Sequence, residues 1–172
     1  MFVRPEFWNV AECLRIRAAM DRAPRSPAEI YADGFRVDEA ARRAFDVDVE
    51  DALIEEVVRA IDAARPQVAA FFNVTLSGAE GPGFLRYEPG GFYGEHRDVS
   101  PEWEQFPRRI SVVVFLTTAG EDCEGGSLRL YGAEPVDIAP RAGLFVAFPS
   151  ETAHEVLPVT AGVRDAIVDW FY

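Results

Sequence analysis

The sequence predicts a mainly β fold with N-terminal helices, an α+β arrangement in which a β-sandwich packs against two helices. In the first 72 residues apolar side chains recur at helical spacing, whereas from residue 73 short apolar runs alternate with Gly, Pro and acidic turns. The chain has 172 residues and is 49% hydrophobic, which suits one domain with a buried core. We therefore expect a single domain over residues 1–172, with a helical support region at 1–72 and a β core at 73–172.

The first predicted helix covers residues 9–22. Asn9 is a suitable N-cap, and Glu12 follows it at the spacing of a capping box. The Pro-Arg-Ser-Pro segment at 24–27 ends the helix. The stripe expected to face the core consists of Val10, Cys13, Ile16, Arg17 and Met20.

The second predicted helix covers residues 50–72 and is the longest element. Pro66 is expected to kink or restart it, because proline lacks the amide hydrogen that the helix needs. Its apolar repeat at three and four residues indicates a buried face. That face is expected to contain Leu53, Val57, Ile61, Ala64, Val68 and Phe71.

Short strands are expected through the rest of the chain. Ile30-Tyr31 and residues 35–37 flank the turn pair Asp33-Gly34, which suggests a hairpin before the second helix. Regularly spaced strands with Gly and Pro between them are typical of a sandwich or barrel. The remaining candidates are 74–77, 83–87, 109–118, 127–131, 136–138, 144–148, 155–159 and 165–171.

Composition excludes some classes of partner. The formal net charge is −12 and no Lys/Arg cluster is visible, so neither nucleic acid nor a membrane surface is expected as a partner. Cys13 and Cys123 lie far apart, which suits reduced thiols in a cytoplasmic protein. The N-terminus has early charges and no long apolar run, so neither a signal peptide nor a membrane span is expected. The oligomeric state stays open.

The chain has only two histidines, and each lies in a segment that suits a metal ligand. Residues 87–98 end in His-x-Asp, formed by His96 and Asp98, while His154 follows much later. Side chains at i and i+2 of a strand share a face, so the first pair is expected to enter one cavity. Two imidazoles and one carboxylate can bind one face of a metal and leave the other open, as in non-heme Fe(II) oxygenases. Each residue alone is a weak signal, since histidine has many structural uses.

Arg164 follows His154 by ten residues, at the start of the last predicted strand. Its planar guanidinium can grip a carboxylate through two hydrogen bonds. A metal-chelating keto diacid such as 2-oxoglutarate would need one such cation for its far carboxylate. The alternative is an ion pair with a nearby acid such as Asp165 or Asp169.

The order of these motifs resembles the prolyl-4-hydroxylase-like branch of the Fe(II)/2-oxoglutarate dioxygenases. The resemblance begins with Arg-Tyr-x-x-Gly-Gly-x-Tyr-x-x-His-x-Asp at residues 86–98 and continues through segments 108–116, 125–130, 140–143 and 154–164, and Trp170. It implies a double-stranded β-helix (a jelly-roll, cupin-like core) packed against helices. It also implies hydroxylation of a C–H bond, with decarboxylation of 2-oxoglutarate to succinate and CO2. Fe(II), 2-oxoglutarate and O2 are the implied cofactor and co-substrates, and ascorbate is a candidate addition.

The resemblance also implies roles for individual residues. His96, Asp98 and His154 match the iron ligands, and Arg164 matches the residue that holds the distal carboxylate of 2-oxoglutarate. Tyr87 matches a tyrosine near the co-substrate or the substrate, whereas Phe115 stands where some relatives have a tyrosine on that carboxylate. A phenyl ring cannot donate a hydrogen bond, so Arg164 is expected to need a threonine or another hydroxyl as helper. Residues 99–108 are interpreted as a substrate lid, with an ordinary connection as the alternative. The candidate substrate-contacting residues are Tyr93, Trp103 and Trp170.

Two other functions stay open from the residues. One is a cupin-like metalloenzyme that uses no keto acid, with Arg164 binding the substrate directly. The other is a non-enzymatic jelly-roll sensor or binding module that uses metal for folding. For the hydroxylase, the substrate is peptidyl proline, another protein side chain, a free amino acid or a small metabolite, because a fold does not select among them.

Overall fold

The computed structural model of the protein describes residues 1–31, 34–99 and 107–172. This part of the chain contains two α-helices and sixteen strands, most of the strands being short. In chain order they are β1 (Phe2–Arg4), α1 (Val10–Met20), β2 (Arg25–Pro27), β3 (Ile30–Tyr31), β4 (Phe35–Arg36), β5 (Arg42–Arg43), β6 (Phe45–Val47), α2 (Asp51–Phe72), β7 (Gly83–Tyr87), β8 (Phe92–His96), β9 (Ile110–Phe115), β10 (Cys123–Gly125), β11 (Leu128–Leu130), β12 (Val136–Ile138), β13 (Phe145–Pro149), β14 (His154–Val156), β15 (Val159–Gly162) and β16 (Arg164–Phe171).

Two antiparallel sheets form the core of the fold. The larger has the order β1-β13-β9-β16-β7-β6-β2, and the smaller has the order β12-β11-β14-β8-β5. Along the chain, β7 and β9 join the larger sheet while β8 and β11 join the smaller one, and the later strands alternate in a similar way. This winding between two sheets is the double-stranded β-helix, so the expected jelly-roll core packed against helices is confirmed. Two separate two-stranded pairs, the β3–β4 hairpin and the β10–β15 pair, lie outside these sheets.

The large sheet is buried on both faces, which explains its nearly continuous apolar strands. Along β9, Ile110, Val112 and Val114 pack against the helices. Val113 and Phe115, at the alternate positions, point between the two sheets. The same alternation continues on β16, and it places odd-numbered residues of β9 and even-numbered residues of β16 toward the interior of the jelly roll.

Both predicted helices are present. Asn9 caps α1 through its side-chain oxygen, which accepts a hydrogen bond from the Glu12 amide at 2.9 Å. The inner faces agree with the expected stripes except at their ends, where Val10 is 61% exposed and Phe71 is 57% exposed. Helix α2 continues through Pro66 as one element and ends at Phe72, and the following residue, Asn73, adopts a left-handed conformation. Among the described residues, no helix is long and apolar enough to cross a membrane.

Several strand expectations need correction. Residues 74–77 form no strand, and the single strand expected at 155–159 is two, β14 and β15. The region 1–72 is also more than helical support, since β1, β2 and β6 extend the large sheet and β5 extends the small one. Strands of two or three residues are held by pairing with distant partners, so they leave little local pattern to detect. The expected hairpin around residue 34 is present as the β3–β4 pair, although Asp33 lies outside the described residues.

Candidate metal centre and co-substrate pocket

Strand pairing brings the two histidines together. His96 is the last residue of β8 and His154 is the first residue of β14, and the two stand directly opposite each other in the ladder. Their ring centroids are 4.1 Å apart. Directly paired residues on one face of a sheet are neighbours, so a separation of 58 positions in sequence becomes side-chain contact.

Asp98 completes the cluster from a position just beyond the strand. The expectation that His96 and Asp98 share one strand face is corrected, because β8 ends at His96 and Asp98 lies in the bend that follows. Its carboxylate oxygens lie 3.5 Å from Nε2 of His96 and 3.4 Å from Nε2 of His154. One ligand atom from each of the three residues lies within 4.8 Å of the other two.

The histidines present their unprotonated nitrogens to this cluster. Nδ1 of His96 lies 2.8 Å from the Gly94 carbonyl, and Nδ1 of His154 lies 2.9 Å from the Thr152 carbonyl. A carbonyl only accepts hydrogen bonds, so each Nδ1 carries the proton and each Nε2 keeps its lone pair. This tautomer is the one that histidine ligands of metals usually adopt. The donor set therefore fits a divalent metal of the iron or zinc type.

The protonation states of these side chains also favour metal binding. Burial lowers the pKa of His154 and outweighs the opposing effect of the nearby Asp98 carboxylate, so the imidazole is neutral near neutral pH. Burial acts to raise the pKa of Asp98, but the neighbouring imidazoles of His96 and His154 favour the ionised carboxylate more strongly and hold its pKa well below its usual value. A neutral imidazole and an ionised carboxylate are the forms that coordinate a metal.

Tyr93 braces one of these ligands. Its ring stacks on His96 with centroids 3.5 Å apart and planes 16° apart, and the guanidinium of Arg42 lies 4.8 Å from the Tyr93 centroid. Burial raises the pKa of Tyr93 to about 12, so its hydroxyl stays protonated. The sequence predicts Tyr93 as a substrate contact. In the structure it lines the cavity and also restricts the ring of His96.

Arg164 lies deep in the same cavity. It is 2% exposed and stands opposite Tyr87 in the β16–β7 ladder. Its Nε donates to the Gly126 carbonyl at 2.7 Å, and its guanidinium lies 4.9 Å from the Tyr87 ring and 5.1 Å from the Phe115 ring. Burial lowers its pKa, but a guanidinium stays charged because its ordinary pKa is so high.

The acids considered as alternative partners of Arg164 bind elsewhere. Asp165 accepts two hydrogen bonds from Arg86, each at 2.8 Å. One oxygen of Asp169 accepts from the backbone amides of Gly81 and Trp170. Strand alternation explains this, because Asp165 and Asp169 face away from the interior that Arg164 faces.

A single cavity of about 290 Å³ connects these groups. Ile30, Tyr31 and Phe35 of the β3–β4 pair reach it from outside. Trp103 lies outside the described residues, as does most of the segment 99–108 interpreted as a lid. The sequence-predicted residues that the structure places around the cavity are Tyr87, Tyr93, His96, Asp98, His154, Arg164 and Trp170.

Two buried serines beside Asp98 were not identified from the sequence. Ser111 donates to Oδ2 of Asp98 at 2.7 Å, and its oxygen lies 3.0 Å from that of Ser150. A polar residue in the apolar run of β9 was the available signal. Its odd number places it on the same inward face as Val113 and Phe115.

A jelly roll that carries His-x-Asp and a distant His at one end, with a buried arginine beside them, defines a class of metal-dependent oxygenases. Residues 82–172 match the family profile described as the 2OG-Fe(II) oxygenase superfamily. A PKHD-type hydroxylase of Thioalkalivibrio sulfidiphilus is 33% identical over 174 residues, covering 93% of this chain and 72% of that protein. The chain belongs to the 2OG-Fe(II) oxygenase superfamily, in the prolyl-4-hydroxylase-like branch.

Other relatives match part of the sequence or its fold. A PKHD-type hydroxylase of Stenotrophomonas maltophilia is 40% identical over 96 residues, which cover 52% of this chain and 41% of that protein. The chain thus matches less than half the length of that relative. A solved Pseudomonas putida prolyl-4-hydroxylase has a TM-score of 0.73 and 26% identity, covering 99% of this chain and 90% of that one. A Trichoplax adhaerens prolyl hydroxylase, solved with a peptide fragment of hypoxia inducible factor, has a TM-score of 0.79 at 22% identity over 99% of this chain and 82% of that one, and shows the shared fold.

Proposed function

We propose that the protein is an Fe(II)- and 2-oxoglutarate-dependent hydroxylase that acts on a C–H bond. The observation that carries this proposal is that one cavity contains both a His-Asp-His cluster and a buried arginine. The cluster alone would fit many metalloproteins. The arginine adds a fixed positive charge to the same cavity, which suits the second carboxylate of a chelating keto diacid.

In this proposal His96, Asp98 and His154 hold Fe(II) through two Nε2 atoms and the carboxylate. Fe(II) held there would supply the redox chemistry by which O2 oxidises 2-oxoglutarate to succinate and CO2 and hydroxylates a substrate C–H bond, one oxygen atom going to each product. Three protein ligands on one face of the metal would leave its opposite face for the co-substrates. The backbone carbonyls that fix both imidazoles prevent the ligands from turning away before the metal arrives.

Arg164 binds the distal carboxylate of 2-oxoglutarate. Its Nε is already bonded to Gly126, which leaves both Nη groups to grip a carboxylate. A buried guanidinium without an anion is costly, so the co-substrate also compensates a charge that the fold has desolvated. Phe115 cannot donate a hydrogen bond, whereas the buried Tyr87 carries a hydroxyl and lies beside the guanidinium. We therefore assign Tyr87 as the helper hydroxyl.

The substrate is a peptide side chain or a small molecule. A cavity of about 290 Å³ is small for a site that must hold 2-oxoglutarate as well, so only a compact group can enter beside the metal. Ile30, Tyr31 and Phe35 give the cavity apolar and aromatic lining. Its other lining residues include four charged ones, Glu29, Arg42, Arg97 and Arg108, so the substrate can carry polar atoms as well. Peptidyl proline is the first candidate, because the Pseudomonas putida relative is a prolyl-4-hydroxylase.

The test combines spectroscopy with product analysis. Fe(II) and 2-oxoglutarate are added without oxygen, and the weak visible absorption band of the chelated keto acid is recorded. Air is then admitted, with ascorbate present, and succinate is measured in the presence of proline peptides, amino acids and metabolites. We expect the band in the wild type and its loss in His154→Ala. Iron binding without the band or succinate would reject the co-substrate assignment.

The same samples separate the two other functions. A cupin-like enzyme would consume its substrate in a metal-dependent reaction without forming succinate. A sensor that needs metal for folding would lose much of its thermal stability on chelation, because a ligand that binds only the folded state stabilises it.

A further inference from the structure

The carboxylate of Asp98 accepts a hydrogen bond from a side-chain hydroxyl of the large sheet, that of Ser111. Ser111 is the second residue of β9 and is buried in an otherwise apolar strand. Its Oγ donates to Oδ2 of Asp98 at 2.7 Å, a short hydrogen bond of the kind made to an ionised acceptor. The contact joins a residue of β9 to a residue of the bend that follows β8, so it depends on the tertiary fold.

A second serine fixes the direction of the first. Oγ of Ser150 lies 3.0 Å from Oγ of Ser111, and both residues are buried. The single proton of Ser111 goes to Asp98, since an ionised carboxylate only accepts. The bond between the two hydroxyls must therefore be donated by Ser150. The order of donation is Ser150 to Ser111 to Asp98, with no hydroxyl free to reverse it.

Ser150 also links the bend that contains Asp98 to the turn that precedes His154. Its carbonyl accepts the backbone amide of Asp98 at 2.9 Å, and its own amide donates to the Arg109 carbonyl at 3.0 Å. It lies four residues before His154, in the turn between β13 and β14. The Asp98 bend, the turn before His154 and the start of β9 thus meet at this serine.

We propose that Ser111 and Ser150 are positioning residues that fix the rotation of the Asp98 carboxylate before the metal binds, an inference that rests on the proposed metal site. The terminal torsion of an aspartate is broad, and Asp98 lies outside regular structure, so its side chain needs an external restraint. Partners that orient a metal ligand commonly change metal affinity by about 10- to 100-fold. A pair of hydroxyls that merely satisfied each other in the core would affect stability but not the metal.

The experiment separates those roles with the apo-protein and Co(II) as the probe. Co(II) affinity is measured by competition with a chromophoric chelator, and the visible Co(II) bands report the ligand geometry. Thermal unfolding of each apo-protein is recorded in parallel. The variants are Ser111→Ala, Ser150→Ala and the conservative Ser111→Thr. The matched control is Thr117→Val, which removes another buried hydroxyl, one that accepts from the Asp165 amide and lies away from Asp98.

We expect Ser111→Ala to weaken Co(II) binding by about 10- to 100-fold and to shift the Co(II) bands. Ser150→Ala should weaken it less, and Ser111→Thr should restore most of the affinity. Thr117→Val should lower the melting temperature while Co(II) affinity stays within about twofold of the wild type. If Ser111→Ala does not fold, the order of affinities among Ser150→Ala, Ser111→Thr and Thr117→Val decides the matter.

Unchanged Co(II) affinity in both alanine variants would overturn the positioning role, as would an equal loss in Thr117→Val. The proposed metal site fails in a different way. In that case the wild type and His154→Ala would bind Co(II) equally, whatever the serine variants do.

Discussion

Replacing Arg164 by Met tests the co-substrate site with little change of shape. The methionine keeps an unbranched apolar stem between the rings of Tyr87 and Phe115 and removes the guanidinium. The hydrogen bond from Nε to the Gly126 carbonyl, 2.7 Å long, is lost. Replacing a buried charge by an apolar side chain of similar volume is often neutral or stabilising, so we expect the variant to fold.

The expected loss of 2-oxoglutarate binding is large. Truncating one partner of a buried, hydrogen-bonded charge pair costs about 2–5 kcal/mol. At 1.4 kcal/mol per factor of ten, the Kd for 2-oxoglutarate should rise by about 30- to 4,000-fold. Arg164 contacts none of the three proposed metal ligands in the contacts described above, so the metal affinity should change by no more than about twofold.

The assay is a calorimetric titration of 2-oxoglutarate into anaerobic protein loaded with Mn(II), with a separate Mn(II) titration of the apo-protein. Arg129→Met is the matched control, because Arg129 makes a two-point contact with Asp137, at 2.7 and 2.8 Å, on the protein surface. It should leave both affinities unchanged. A parallel loss of Mn(II) and 2-oxoglutarate binding in Arg164→Met would refute the reasoning and make the residue structural.

Three further changes have defined outcomes. Phe115→Tyr adds a hydroxyl beside Arg164, and one hydrogen bond of about 1 kcal/mol should tighten 2-oxoglutarate binding about fivefold in the same titration; weaker binding would contradict the assigned pocket. Gly126→Ala should lower the melting temperature, because φ of Gly126 is +68°. It should also weaken 2-oxoglutarate binding, because the added Cβ would lie 2.7 Å from Cδ of Arg164. Wild-type values in both assays would contradict this. Burial raises the pKa of Asp169 to about 6. The free energy of unfolding therefore falls as pH rises from 4 to 6, and it stays at the lower value above pH 6. Asp169→Asn should therefore raise the free energy of unfolding at pH 7 by about 1–2 kcal/mol and change it little at pH 4, as urea unfolding would show; a gain independent of pH would refute the cause.

Local patterns in the sequence were sufficient for the helices and the long strands. The repeat of apolar residues over α2 and the Asn9 cap of α1 act within one element, so neighbouring residues reveal them. In the first 50 residues the β3–β4 pair was predicted from its local turn, whereas β1, β2, β5 and β6 were not, because these two- and three-residue strands are defined by partners far away in sequence. The residues 74–77 have strand-like composition but continue from the left-handed Asn73 into an irregular segment.

The His-Asp-His cluster could be predicted because the residue types are rare in this chain and their chemistry is specific. Two histidines and one His-x-Asp leave few alternatives for a metal site. The restraint by Ser111 could not be predicted with the same certainty, since serine is common and its contact with Asp98 depends on the packing of one strand against a distant loop. The stacking of Tyr93 on His96 is similar, because a strand spacing of three residues does not predict ring contact.

The most direct measurement of the central claim is an anaerobic crystal structure of the protein with Fe(II) and 2-oxoglutarate, recorded with anomalous diffraction at the iron edge. We expect one strong anomalous peak bounded by Nε2 of His96, the Asp98 carboxylate and Nε2 of His154, with the distal carboxylate of 2-oxoglutarate on Arg164. An iron peak elsewhere, or a diacid whose far carboxylate does not reach the guanidinium, would contradict the account.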